Sequence, residues 1–188
     1  SDLLDEPNWI DVDGELGIEI AVRHLTELGH KRIAYIAPPS EQYLTKLRWR
    51  GFVNGMKEAG IVPDPTLLFE GDYSEQSGQW GAHYFLDQSH PPTAIICNND
   101  RMAFGAMRAL QARGLVVGRD VSVIGFDDIP LARYSHPPLT TLSQPVHEIG
   151  QILFTLLSAM INKEPIQNLG GKLIAPTLSI RQSTVSPL

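Results

Sequence analysis

Short, largely apolar runs alternate with stretches of helical spacing along most of this chain, and that alternation constrains its fold more than any other feature. Asn8 to Asp11 reads as a short strand. Ile18, Ala21, Val22, Leu25 and Leu28 follow it at helical spacing until Gly29, a helix stop. Arg32 to Ala37 (RIAYIA) is the next strand. After Pro38-Pro39 come Leu44, Leu47, Phe52, Val53, Met56 and Ala59 on a helix closed by Gly60. The unit repeats: Leu67 to Glu70 leads to a helix from about Ser74, and Thr93 to Cys97 leads to one from about Asp100 that stops at Gly114. Val121 to Phe126 is the last buried strand of the run. Strands that are nearly all apolar and separated by amphipathic helices are covered on both faces, which a parallel sheet with right-handed crossovers provides. The expected fold class is α/β, a doubly wound parallel sheet.

Beyond Asp127 the regularity breaks down. A loop with His136-Pro137-Pro138 leads to Leu139 to Leu142, a long helix follows from about Val146 to Asn162, and Lys172 to Arg181 reads as extended pieces. On the long helix Val146, Ile149, Ile152, Leu153, Leu156, Leu157, Met160 and Ile161 cover more than one narrow stripe, so it calls for partners on two sides. Burying five such side chains contributes on the order of 10 kcal/mol. Two readings stay open: an ordinary core helix, or a helix belonging to a neighbouring lobe or subunit.

Charge and composition exclude several functions. Lys plus Arg number 15 against 21 for Asp plus Glu, a net charge of −6, so there is no basic surplus to release counterions from a phosphate backbone. This stretch is not expected to bind nucleic acid by itself. Cys97 is the only cysteine, which excludes an internal disulfide framework and a zinc knuckle and fits a reducing compartment, hence a cytoplasmic location. The most apolar stretch, Ile149 to Ile161, is too short to cross a bilayer, and no leader is evident at Ser1. No GxSxG elbow, GxxxxGK[ST] loop, GxGxxG fingerprint or HExxH motif occurs, so a catalytic role lacks a nucleophile and a metal or cofactor lacks its ligands. His24 and His30 have poor ligand spacing and read as surface or capping residues; Cys97 reads as an inert core thiol.

In an open parallel sheet the loops beyond the carboxyl ends of the strands converge at one edge, where ligands bind. Ser40, Glu41, Gln42 and then Arg48 follow the Arg32 to Ala37 strand, and Asp72 and Tyr73 follow Leu67 to Glu70. Asn98, Asn99 and Asp100 follow Thr93 to Cys97, and Asp127 and Asp128 follow Val121 to Phe126. Carboxylate, guanidinium, amide and aromatic groups together suit a neutral polyhydroxylated ligand such as a sugar. An Asp accepts from two hydroxyls, an Arg donates in a planar fork, an Asn does both and a ring covers the C–H face. Structural roles compete: Asp100 reads as a helix N-cap, Asp128 as ordering its turn, Arg48 as an exposed helix cation and Tyr73 as a surface aromatic.

Several of these segments resemble the effector-binding core of the lactose-repressor/galactose-repressor family of bacterial transcription regulators. They are HLTELGHKRIAYI at His24 to Ile36, RWRGFVNGM at Arg48 to Met56, GDYSEQSG at Gly71 to Gly78, and NNDRMAFGAMRAL at Asn98 to Leu110. VSVIGFDD at Val121 to Asp128, PPLTTLSQP at Pro137 to Pro145 and LIAPTLSIRQST at Leu173 to Thr184 continue in the family's order. The resemblance implies a periplasmic-binding-protein-like, two-lobed sugar-binding fold of which this chain is mainly the second lobe. Residues 1–13 would be the crossover from the first lobe, 14–143 the C-terminal lobe, 144–172 a helix and return segment of the first lobe, and 173–188 closing strands and tail. It implies Arg48, Tyr73, Asn99 and Asp127 as ligand-binding residues, with no cofactor and no metal. The implied partners are a sugar effector, a second copy in a homodimer, and operator DNA reached through a headpiece absent from this chain, with no membrane. Val12-Asp13-Gly14 departs from the family's Val-Asp-Asn at the crossover, and Leu44 stands where some relatives touch ligand. A periplasmic sugar receptor of a transporter and a sugar-processing enzyme on a doubly wound fold are the competing functions.

Overall fold

The computed structural model describes residues 8–39, 43–162 and 170–187. Six strands form one sheet in the order β3-β2-β4-β5-β6-β8: β2 Ile33–Ala37, β3 Leu68–Glu70, β4 Ala94–Cys97, β5 Ser122–Asp127, β6 Thr140–Ser143 and β8 Thr177–Ser179. All pairings are parallel except β6 with β8. The chain runs from β2 out to β3 and returns on the other side of β2 to form β4, so the winding reverses between β2 and β4. The expected doubly wound parallel sheet is the observed one.

The strands alternate because each is buried on both faces. Ala34 and Ile36 of β2, Ile95 and Cys97 of β4 and Val123 of β5 join one core with α3 (Glu75–Leu86) and α4 (Asp100–Ala112). Their neighbours Ile33, Tyr35, Ala37, Ala94, Ile96, Ile124 and Phe126 join a second core with α1 (Gly14–Glu27) and α2 (Tyr43–Glu58). A two-residue side-chain period therefore supplies both layers from the same strands. Helix starts are capped locally: Asp13 accepts from Leu16 N, Ser74 from Ser77 N and Asn99 from Met102 N. Asn99, not Asp100, is thus the N-cap of α4. After α1 the chain turns at Gly29, whose φ of +101° an L side chain rarely adopts.

The histidines differ from expectation. His30 is buried, its Nδ1 meeting Thr93 Oγ1 at 2.9 Å and its Nε2 meeting the Val185 carbonyl at 2.8 Å, while His24 Nε2 lies 3.0 Å from Thr184 Oγ1. Both tie the C-terminal segment to the body of the lobe, and burial lowers both below the ordinary histidine range. Cys97 is buried as expected, and burial pushes its thiol far up.

β1 (Asn8–Val12) does not enter the main sheet but pairs in parallel with β7 (Gly170–Ile174). α5 (Val146–Asn162) has the expected bounds, yet none of its residues is buried. Phe154 and Ile161 are each 71% exposed, and Val146, Leu153, Leu157 and Met160 are exposed with them. Within this chain α5 is not an ordinary core helix. No helix among the described residues is long and apolar enough to cross a membrane.

Candidate functional site

Open α/β sheets bind ligands at the carboxyl ends of their strands, where the winding reverses. Here that point lies between β2 and β4, and Arg48, in the second turn of α2, crosses it: Arg48 Nη1 donates to the Asn98 carbonyl at 2.8 Å. Its guanidinium carbon stands 3.8 Å from the centre of the Phe126 ring, a cation–π contact from the residue that precedes Asp127. Gly14 at the start of α1 leaves room for this side chain, since a Cβ there would lie 3.0 Å from Arg48 Cγ. Arg48 Nε is buried with no hydrogen-bond partner.

The other expected residues stand on the neighbouring loops of the same edge. Asn98 is buried and accepts from the Tyr35 hydroxyl at 2.8 Å, which fixes the turn after β4. Asn99 uses its Oδ1 to cap α4 and its Nδ2 to reach the Tyr73 carbonyl at 3.2 Å, so it ties the β3 and β4 loops together. Asp127, half-buried at the end of β5, accepts from Gln144 Nε2 at 2.5 Å. Burial raises its carboxyl above the usual carboxylate range, against the pull of the Gln144 hydrogen bond and the Arg48 charge. Arg48, Tyr73, Asn99 and Asp127 thus share one edge of the sheet. The side chain of Leu44 and residues Ser40, Glu41 and Gln42 lie outside the described residues.

Backbone strain marks the same edge. Tyr73, Asp127 and Asp128 have φ of 67°, 119° and 54°, the positive values among described non-glycine residues. Each conformation costs on the order of 1–3 kcal/mol and persists only where the surroundings enforce it, typically at ligand sites. Asp128 is enforced by Arg181, whose Nη2 donates to Oδ1 at 2.6 Å, and by the Ser179 hydroxyl at 3.1 Å. Burial pushes the Asp128 carboxyl up, but these donors hold it below the ordinary carboxylate range. Its role is to anchor the turn to the C-terminal strands. Phe126 and Gln144 were not singled out in the sequence. Phe126 reads there as a core residue, and Gln144 has only its place beside Pro145 in the PPLTTLSQP segment as a signal.

Asp100 is fully buried beneath the cluster, accepting from the Ile129 amide at 2.8 Å and from the Thr141 hydroxyl. Burial raises its pKa to about 7, with Asp127 and Asp128 pushing the same way. A carboxyl whose folded pKa lies above its unfolded value of about 3.9 stabilises the fold fully below that value. That contribution is lost as pH rises through 7. Asp100→Asn mimics the protonated acid, with its oxygen accepting from Ile129 and its amide donating to Thr141. Denaturation between pH 4 and pH 8 should show the parent losing stability on the order of a few kcal/mol as pH rises, and the Asn variant losing markedly less. Equal pH slopes would contradict the burial of this carboxyl. Among the described residues no group of three or more His, Cys, Asp and Glu could hold a metal.

Residues 22–184 match the family model for a periplasmic binding protein-like domain. The HTH-type transcriptional repressor CytR of Escherichia coli strain K12 is 40% identical over 164 residues, which are 87% of this chain and 48% of that protein. The chain therefore spans about half the length of the curated relatives it matches. A lac repressor dimer bound to operator and the anti-inducer ONPF superposes with a TM-score of 0.85 at 35% identity, covering 95% of this chain and 61% of that one. A complex of the transcriptional regulator CelR with cellobiose gives a TM-score of 0.86 at 32% identity, over 94% of this chain and 54% of that one.

Proposed function

The chain belongs to the periplasmic-binding-protein-like domain family, in the form carried by repressors of the lactose-repressor/galactose-repressor type, and from that premise we propose that it is the sugar-sensing lobe of a cytoplasmic, dimeric transcription regulator. What supports the reading is that the helix bearing Arg48 and the loops bearing Tyr73, Asn99 and Asp127 lie at one edge of the sheet, at and beside the point where its winding reverses. The similar proteins named above include one dimer on operator DNA and one complex with a disaccharide. On this reading the four side chains form one wall of a cleft, and residues 144–172 pack on a second lobe that supplies the other wall. The unburied α5 and the separate β1–β7 pair support that division. Residues 1–13 are assigned to the crossover, 14–143 to this lobe and 173–188 to its closing strands; 1–7, 40–42, 163–169 and 188 lie outside the described residues.

Sugar that binds the closed arrangement better than the open one shifts the equilibrium between them, and a coupling of roughly 1–3 kcal/mol suffices to change operator affinity usefully. The protein on this reading binds and releases; it does not turn its ligand over. A thermal-shift screen of mono- and disaccharides against the full-length protein, followed by operator-release assays with the hits, tests the reading. A screen with no stabilising sugar would overturn it. For Tyr73→Ala we expect affinity for such a hit to fall several-fold by calorimetry, from loss of the ring over the sugar's C–H face. The melting temperature should be little changed, and unchanged affinity would put the ring outside the cleft.

A further inference from the structure

A cavity of about 250 Å³ lies where α2 passes the ends of β2 and the edge strand β3. Its walls are apolar: Ala37 and Pro38 from the end of β2, Trp49 from α2 and Leu68 from β3. None of these belongs to the cluster around Arg48 and Asp127. Trp49 is stacked on Phe52 at 5.5 Å and on Tyr35 at 6.4 Å, both nearly parallel, so its indole is a rigid platform prepared before any ligand arrives. Lys46 and Glu70 stand at the cavity, both exposed and opposite in charge, which leaves no net field to favour an ion.

One buried polar group in this lining lacks a partner. Thr45 is only 4% exposed, and its Oγ1 is buried without a hydrogen bond. Buried hydroxyls are nearly always satisfied, and an unmatched one at a cavity wall points to a ligand atom that would match it. Threonine on a helix divides between two χ1 rotamers, so its hydroxyl can reorient toward a partner without moving the backbone. A roughly 150 Å³ apolar cavity accommodates benzene, so this one has room for a substituted ring.

We propose that this cavity binds a neutral, ring-sized, mainly apolar molecule carrying one hydrogen-bonding atom, and that it does so independently of the sugar cleft. Rigid aromatic and aliphatic walls supply the contact area, Thr45 selects for the polar atom, and the balanced charges at Lys46 and Glu70 disfavour ionised ligands.

The test uses the full-length protein labelled with fluorotryptophan, with the signals of Trp9, Trp49 and Trp80 assigned by single Trp→Phe substitutions and read separately by fluorine NMR. Benzyl alcohol should shift the Trp49 signal alone and saturably at millimolar concentration, with toluene binding several-fold more weakly. Thr45→Val should remove or reverse that preference while keeping the shape of the wall. Leu68→Trp should fill the cavity and abolish both shifts. Asp127→Ala should change neither, which separates this site from the sugar cleft, so that failure of either reading leaves the other standing. A shift that does not saturate, that moves Trp9 or Trp80 equally, or that survives Leu68→Trp would overturn the proposal. So would equal affinities for benzyl alcohol and toluene in the parent chain.

Discussion

Asp127→Ala is expected to abolish the effector response of the full-length protein while operator binding and folding survive. A hydrogen bond to an ionised partner contributes about 1.5–3 kcal/mol, and a carboxylate that accepts from two sugar hydroxyls makes two. Sugar affinity should therefore fall by roughly a hundredfold to ten-thousandfold. Stability should move the other way or not at all. Burial raises the Asp127 carboxyl above its ordinary range, so the fold gains nothing from ionising it. The backbone there, with φ of 119°, suits aspartate somewhat better than alanine, which offsets part of the gain from removing the carboxyl. Calorimetry with a sugar identified by the thermal-shift screen, together with operator release and a melting curve, checks all three. A variant that still releases operator at the parent's sugar concentration would remove Asp127 from the site. One that loses its fold would make it structural, as Asp128 is through its ion pair with Arg181.

Gly105→Ala is expected to destabilise the lobe by about 3 kcal/mol or more, the upper end of what overpacking does to a close-packed interior. The sign is the informative part, because alanine in place of glycine inside a helix ordinarily stabilises by roughly 0.5–1 kcal/mol. Here α3 and α4 touch backbone to backbone. A Cβ on Gly105 would lie 1.8 Å from the Glu75 carbonyl oxygen, and one on Gly78 would lie 2.0 Å from the Met102 carbonyl oxygen. Neither obstacle is a side chain that could swing away, so the helices must separate and the core that holds Phe85, Met102 and Leu110 must open. Gly78→Ala should behave alike, and the pair should be less than additive, since the first change already separates the helices. Gly150 on α5 is the control, with nothing within 4 Å of its would-be Cβ. Gly150→Ala should be neutral or stabilising. Urea denaturation distinguishes these signs, and a neutral Gly105→Ala would contradict the α3–α4 approach.

Much of the scaffold was legible from local pattern. The helix at Val146–Asn162 falls where periodicity puts it, and the strand expected from Arg32 to Ala37 forms from Ile33, because burial on one face or two writes itself into neighbouring residues. The short strand Leu68–Glu70 starts one residue late, since Asp64 and Pro65 open a 3-10 turn through Leu67. That the loops bearing the candidate side chains reach one edge was also legible, since in a parallel sheet each loop after a strand points the same way. Less legible were the parts that depend on which residue wins a competition. Both Asn99 and Asp100 can cap a helix; Asn99 does so, and Asp100 is drawn inside by the Ile129 amide and the Thr141 hydroxyl. His30 carries no local signal of the Val185 carbonyl that holds it.

The alternation of elements, the parallel pairing, the bounds of α5 and the chemistry carried by Arg48, Tyr73, Asn99 and Asp127 are properties of the sequence alone, because each follows from spacing within a few residues. Tertiary structure decided the rest: the reversal between β2 and β4 that sets Arg48 against Asn98, the departure of β1 to pair with β7, the left-handed backbone at Tyr73 and Asp127, and the unmatched hydroxyl of Thr45. Each of these is fixed by groups far apart in the chain, whose contact energies no local periodicity records.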